Sequence, residues 1–294
     1  MKIGILNLEP KYRNYALDKL RAYHLAAGNE VEDYFPLAHA SYDKVFCSSI
    51  FTWTPKPYIP GAICGGSGFD LSTKLALRVE TIKIRQNYGF TTRGCIRRCP
   101  FCIVPQKEGG IKKVNNLLDL WDGKTKDITL YDNNILALPD HFYDVFKQAI
   151  EHNLRLDFNQ GLDHRLLTPD IAGLLAVMSH KEYHFAFDDP AMERGVGQTI
   201  KMLEQHGINR SIWYVLVGFN TSFQEDIDRL DFLRERGQDV YVQRYNMKTD
   251  KRLTTLARWA NQHGIFRTMT FKQFLAHPDN VRYPYFKTIL EEKP

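Results

Sequence analysis

Apolar and polar positions change rhythm along this chain. In the first eighty residues short apolar runs alternate with one long amphipathic stretch. Lys2–Leu6, Glu30–Tyr34, Lys44–Ser48 and Ala62–Cys64 read as strands, and Tyr12–Ala27 keeps helical spacing up to Gly28. Short apolar strands alternating with a helix predict a parallel sheet. Phe51–Pro60 breaks the rhythm with Pro55, Pro57 and Pro60 set among Phe51, Trp53 and Tyr58, so it reads as a loop with aromatic anchors.

From about Arg85 the period lengthens and repeats. Strands are predicted at Gly89–Thr92, Asp127–Tyr131, Leu156–Asn159, Tyr183–Phe187, Ser211–Val217 and Asp239–Gln243. Helices are predicted between and after them, at Lys113–Trp121, Pro139–Asn153, Pro169–His180, Ala191–His206, Ser222–Arg236 and Arg252–His263. Thr168-Pro169 places a capping hydroxyl before a proline at the first helical position. This α/β pattern divides the chain into a small domain over residues 1–84, a large one over 85–264, and a carboxyl-terminal extension over 265–294 that contains Tyr283-Pro284-Tyr285-Phe286.

Composition adds limits rather than identity. The 294 residues are 44% apolar and 25% charged, ordinary for a globular protein. No apolar run approaches the roughly 20 residues of a membrane helix, so no membrane partner is expected. The start, MKIGILNLEP, reads as a strand rather than a signal peptide, which makes the cytoplasm the expected location. Net charge is a mild +5, which permits an anionic partner such as RNA without demanding one. Part of the excess gathers at Arg93, Arg97, Arg98, Lys107, Lys112 and Lys113.

Those cations surround the most informative stretch. Cys95, Cys99 and Cys102 follow C-x3-C-x2-C, with Phe101 directly before the last cysteine. Thiolates are soft ligands for zinc or iron–sulfur clusters. Three on one loop can hold three corners of a cube and leave the fourth open, whereas structural zinc sites close all four positions with paired C-x2-C motifs. No second pair exists here. A loop of three free thiols and a zinc knuckle completed by a distant histidine are the alternatives. Cys47 and Cys64 fall near predicted strand ends and read as small core residues, with a shared metal-ligand role as the other reading.

In parallel α/β folds ligands bind beyond the carboxyl ends of the strands. That rule collects the three cysteines, Tyr131-Asp132-Asn133-Asn134, Asn159-Gln160-Gly161-Leu162-Asp163, Asp188-Asp189, Gly218-Phe219-Asn220, and Gln243, Arg244 and Asn246. Any one group suits a turn, but so many polar ends together favour a polar ligand. Among histidines, His164 and His184 stand nearest these ends. No Walker loop, G-x-S-x-G elbow or H-E-x-x-H motif appears. Gly65-Gly66-Ser67-Gly68 lacks the lysine and spacing of a phosphate loop and reads as a tight turn, with substrate contact as the other reading.

The cysteine motif resembles that of the radical S-adenosylmethionine superfamily, and the resemblance spans roughly Phe90–Gln243. It implies a partial (β/α)6 barrel preceded by a small Rossmann-like domain, a layout similar to the methylthiotransferase and cobalamin-binding branches. It implies that Cys95, Cys99 and Cys102 bind a 4Fe–4S cluster whose open iron takes S-adenosylmethionine. One-electron reduction would cleave that cofactor to a 5′-deoxyadenosyl radical, with a flavodoxin- or ferredoxin-type protein as electron donor. By the same resemblance Phe101 packs on adenine, and Asp132 and Asn133 bind the amino group. Asn159, Gln160 and Asp188 reach the ribose, Arg194 the carboxylate, and Val217-Gly218 the adenine. The chain departs from the family pattern in three places. Glycines usual beside Asp132 are absent, no D-x-H-x-x-G cobalamin signature follows the first strand, and the amino-terminal part has two cysteines rather than three. RNA, a peptide and a small metabolite are all admissible substrates. A non-catalytic zinc- or iron–sulfur-binding module is the contrasting expectation.

Overall fold

Strand β1 (Lys2–Asn7) organises the amino-terminal part of the computed structural model, which describes residues 1–245, 250–281 and 289. It pairs in parallel with β2 (Glu30–Asp33) on one side and β3 (Lys44–Ser48) on the other, and β4 (Ile63–Gly65) extends the sheet in the order β2-β1-β3-β4. Ile3 and Ile5 of β1 pack with Leu17 and Leu20 of helix α1 (Tyr15–Ala26) and with Val79 of the short α2 (Leu77–Glu80). The helix begins three residues later than its apolar spacing suggests. Tyr12 N–H is held in a turn by the Glu9 carbonyl, and the Asn14 side chain then caps the helix by accepting from Leu17 N–H at 3.3 Å.

The chain divides into two compact units, Met1–Thr125 and Lys126–Pro294. The first unit also holds β5 (Tyr88–Gly89), β6 (Thr92–Arg93), α3 (Val104–Lys107) and β7 (Lys112–Lys113). The strand predicted at Gly89–Thr92 is thus two short pieces. The helix predicted at Lys113–Trp121 does not form. Lys113 instead pairs antiparallel with Thr92, and Leu117–Asp119 makes a single 3-10 turn. Asn115 and Asn116 explain the difference, because asparagine side chains compete for backbone groups and disfavour a helix interior. Asn115 Nδ2 donates to the Phe90 carbonyl at 2.7 Å, and Asp119 accepts from Asn116 N–H at 2.9 Å. Leu117 and Leu120 still reach the core from this turn.

The second unit is α/β with parallel sheets. Strands β8 (Asp127–Leu130) and β9 (Arg155–Phe158) pair in parallel, and β10 (His184–Ala186), β11 (Ile212–Val217) and β12 (Asp239–Arg244) form a parallel sheet in that order. Helices α4 (Pro139–Glu151), α5 (Pro169–Val177), α6 (Glu193–Gln205) and α7 (Phe223–Glu235) alternate with these strands. Thr168 caps α5 as its sequence predicts, accepting from Ile171 N–H. After β12 come α8 (Lys251–Ala260), α9 (His263–Thr268), α10 (Phe271–Ala276) and α11 (Pro278–Val281). Trp259 packs against Phe266 and Phe271, joining α8, α9 and α10 in one aromatic core. Tyr283-Pro284-Tyr285-Phe286 and Asn246 lie outside the described residues. Among the described residues no helix is long and apolar enough to cross a membrane.

A buried charge pair ties α7 to the strand ends. Arg229 donates to the carbonyls of Phe187 at 2.6 Å and Leu216 at 2.8 Å, and to Asp226 at 2.5 Å; both side chains are 1% exposed. Asp226 also accepts from Gly218 N–H and from Thr221. Removing one partner of such a pair leaves an uncompensated charge and bare carbonyls. Arg229→Met should therefore destabilise the second unit by about 3–5 kcal/mol, read from urea unfolding; a loss below about 1 kcal/mol would mean the pair behaves as a surface contact.

Candidate metal centre and the strand-end groups

The cysteine loop of the first unit hangs from a two-residue antiparallel ribbon. Thr92 pairs with Lys113 and Arg93 with Lys112, closing residues 94–111 into a loop. Gly94 makes the first turn at φ +85°, a left-handed conformation that favours glycine. A Cβ there would lie 2.3 Å from the Gly110 carbonyl oxygen, so the two ends of the loop approach closely only because residue 94 has no side chain. Glu108 locks this approach, accepting from Gly94 N–H at 2.9 Å and pairing with Arg93 at 2.9 Å. Cys95 N–H donates to the Gly109 carbonyl, and Cys102 N–H to the Cys99 carbonyl.

Cys95, Cys99 and Cys102 line one cavity of about 630 Å³ together with Ile96, Arg98 and Gln106. Arg97 N–H donates to Cys95 Sγ at 3.3 Å. Hydrogen bonds to ligand sulfur are one means by which a protein tunes an iron–sulfur cluster. Among the described residues no group of three His, Cys, Asp or Glu side chains is gathered as the ligand set of one metal ion. A cubane asks for something different, since each thiolate binds a separate iron. Three soft donors around one cavity, on a loop pinned at both ends, fit that group.

The surrounding cations are in part structural. Arg93 is engaged by Glu108 and lies over the Phe90 ring at 4.1 Å. Lys107 donates to Ser67 Oγ at 3.0 Å, while Lys74 donates to the Lys107 carbonyl. Burial lowers the Lys107 pKa below the usual lysine range, with Arg93 adding to the effect. Glu108, Gly94 and Ser67 were missed by motif reading. Only the glycine directly before Cys95 gave a local signal.

At the head of the parallel sheet, Glu9 follows β1 and is 7% exposed. It accepts from Ser49 Oγ and from the N–H groups of Ile50 and Phe51. Burial alone would raise its pKa, but hydrogen bonds from Thr54, Ile50, Ser49 and Phe51 outweigh that and hold it below the usual range. Cys47 and Cys64 face each other in register across β3 and β4. Burial, helped by the neighbouring Cys64 thiol, pushes the Cys47 pKa up to about 12.

In the second unit one strand face is dry and the other polar. Leu156, Phe158, Trp213, Val215, Val240 and Val242 are buried, while the alternate positions Asp157, His184, Tyr214, Tyr241 and Gln243 keep some exposure. His184 stacks on Tyr214 with centroids 5.2 Å apart and an interplanar angle of 9°. Its Nδ1 lies 3.9 Å from Asp157 Oδ1, and neither atom has a hydrogen-bond partner among the described residues. Burial drives the His184 pKa down, and Asp157 only partly restores it. His164 is buried and packs near Thr199 and Trp213, on the dry side.

The strand-end residues meet varied surroundings. Asp132 is buried and Asn133 half-buried, and Asn134 beside them donates to Asp163 at 3.1 Å. The Asn159 carbonyl accepts from Tyr214 at 2.7 Å, and its side chain accepts from the exposed Gln160. Asp188 accepts from Leu216 N–H at 2.9 Å, and burial raises its pKa against the pull of that bond and of Arg229. Gly218 N–H is taken by Asp226, beside the fully buried Val217. Arg194 stands exposed in the first turn of α6. Phe101 is half-buried in the cysteine loop. Comparison with protein-family models and with curated proteins gives no match.

The loop closure makes a direct prediction. Gly94→Ala should destabilise the first unit by roughly 1–3 kcal/mol. Gly109→Ala shares the positive φ but has open space around its Cβ, so it should do distinctly less. Equal effects in chemical unfolding would show that backbone conformation alone, not the approach to Gly110, sets the loop.

Proposed function

We propose that the chain is a radical S-adenosylmethionine enzyme, in which Cys95, Cys99 and Cys102 hold a 4Fe–4S cluster. The observation that carries this reading is the C-x3-C-x2-C loop, with its three thiols around one cavity and its ends pinned through Gly94 and Glu108. When bound, the cluster would supply the electron that cleaves S-adenosylmethionine to a 5′-deoxyadenosyl radical, which takes hydrogen from the substrate.

The remaining tasks belong to the chain's own residues. The loop fixes three thiolates and leaves one cluster position for the cofactor. Asp132 and Asn133 offer oxygen acceptors for an ammonium group, and Asn159, Gln160 and Asp188 for ribose hydroxyls. In Asp188 one carboxylate oxygen already accepts from Leu216 N–H, which leaves fewer acceptor sites for a ligand. Gly218 N–H is engaged by Asp226, which moves the adenine contact of that segment to its carbonyl or to Val217. Phe101 supplies an aromatic surface and Arg194 a cation for a carboxylate.

The finer architecture, a partial barrel of six parallel strands behind a Rossmann-like domain, is part of the same proposal. The parallel sheets of both units support it. The electron donor would be a flavodoxin- or ferredoxin-type protein and the location the cytoplasm. RNA, a peptide or a small metabolite would serve as substrate. A zinc-binding module is the competing reading.

Anaerobic reconstitution separates the two. The protein should take up about four irons and, with dithionite, release 5′-deoxyadenosine from S-adenosylmethionine. Alanine at all three of Cys95, Cys99 and Cys102 should abolish both. Zinc retained in place of iron, with no such product under several reductants, would favour the module. Asp132→Ala and Asn159→Ala should keep full iron but weaken cofactor binding about tenfold to a hundredfold in calorimetric titration. Asp70→Ala, whose hydrogen bonds go to the turn residues Ser72 and Thr73, should bind normally.

A further inference from the structure

Cys47 and Cys64 lie opposite each other on β3 and β4, in register and on the same side of the sheet. Neighbouring strands are about 4.8 Å apart, inside the Cα separation of roughly 4.4–6.8 Å that a disulfide accepts. The Cys64 thiol donates to the Ala62 carbonyl at 3.9 Å and stands near enough to Cys47 to help raise its pKa. The surrounding backbone holds this register from beyond the strand ends. Ser49 N–H donates to the Gly65 carbonyl at 3.1 Å, and Gly68 N–H to the Ser49 carbonyl at 2.9 Å. A Cβ at Gly66 or Gly68 would lie 2.3 or 2.2 Å from atoms of Ser49, so the turn after Cys64 is fitted tightly onto the end of β3.

The two thiols differ in access. Cys47 is 2% exposed, whereas Cys64 is partly exposed on an edge strand. An accessible thiol beside a sequestered one can be attacked or attack first, with the buried partner completing the bond. We propose that Cys47 and Cys64 form a redox modification site, closed to an intramolecular disulfide by a low-molecular-weight disulfide of the glutathione type. The disulfide rests on strand register and not on the proposed cluster; only the iron readout of the test depends on that reading.

The Cys64 thiolate attacks the small disulfide, forming a mixed disulfide and releasing one small thiolate. The Cys47 sulfur then attacks Cys64 Sγ and gives up its proton, and the second small thiolate leaves and takes that proton. Two protein thiols are oxidised and one small disulfide is reduced to two thiols. The product staples edge strand β4 to β3 and closes residues 48–63 into a covalent loop. It also fixes the start of the turn whose Ser67 hydroxyl accepts from Lys107, the last residue of α3 within the cysteine loop.

The test exposes the full-length, iron-loaded protein to oxidised glutathione without oxygen. Remaining thiols are blocked with N-ethylmaleimide, and peptides are mapped by mass spectrometry without reduction. The expected product is the Cys47 peptide joined to the Cys64 peptide, lighter by two hydrogens than the reduced pair. Cys47→Ser should accumulate a glutathione adduct on Cys64 at least about tenfold above wild type, because the resolving thiol is gone. Cys64→Ser should leave Cys47 unmodified. Both serine variants should keep the iron content of the wild type. A stable glutathione adduct on Cys64 of the wild-type protein would overturn the proposal. So would a disulfide from either residue to Cys95, Cys99 or Cys102, or iron lost on replacing Cys47 or Cys64, which would make them metal ligands.

Discussion

The close approach of Gly94 to the Gly110 carbonyl is the constraint on which the cysteine loop depends. A ribbon of two residue pairs is too short to hold an 18-residue loop by itself, since each pair adds only modest net hydrogen-bond energy. The Glu108 carboxylate completes the closure by engaging Gly94 N–H and the Arg93 guanidinium together. Charge-assisted bonds of this kind are stronger than neutral ones, and Glu108 is sheltered from water. Three thiols can share one cavity because the loop's two ends are fixed.

The second unit solves a related problem with a buried ion pair. Near the strand ends carbonyls need donors from outside the sheet, and Arg229 donates to those of Phe187 and Leu216 while Asp226 accepts from Gly218 N–H. Strand ends are thereby made rigid at the very place where ligands bind in such folds. The same economy limits the site. Asp188 and Gly218 each have one polar group already engaged in holding the fold, so their capacity for a ligand is smaller than their position suggests.

The polar strand face of the second unit shows how burial shapes chemistry. His184 stacked on Tyr214 beside Asp157 is kept neutral by desolvation, although a carboxylate stands within 4 Å. Neutral imidazole retains one acceptor nitrogen, and the Asp157 and His184 atoms that face each other lack hydrogen-bond partners among the described residues. A polar ligand on this face would therefore meet groups that the fold itself has not satisfied.

Period and punctuation alone determined the elements whose signals are local. The helix that begins at Pro169 behind its Thr168 cap, and the strands β1, β3, β8, β9 and β11, were legible because caps and apolar alternation are each written within a few residues. Lys113–Trp121 was misread as helical because its apolar spacing is real, yet Asn115 bonds to the Phe90 carbonyl, 25 residues away in sequence. The same holds for Glu108, which has no periodic signal and acts only because the ribbon brings it back to Gly94. Cys47 and Cys64, 17 positions apart in sequence, become partners through strand register alone. Sequence fixes which residue types are available at each position. Tertiary structure decides which of them meet, because hydrogen bonds and thiol contacts act over a few ångströms in space and are blind to distance along the chain.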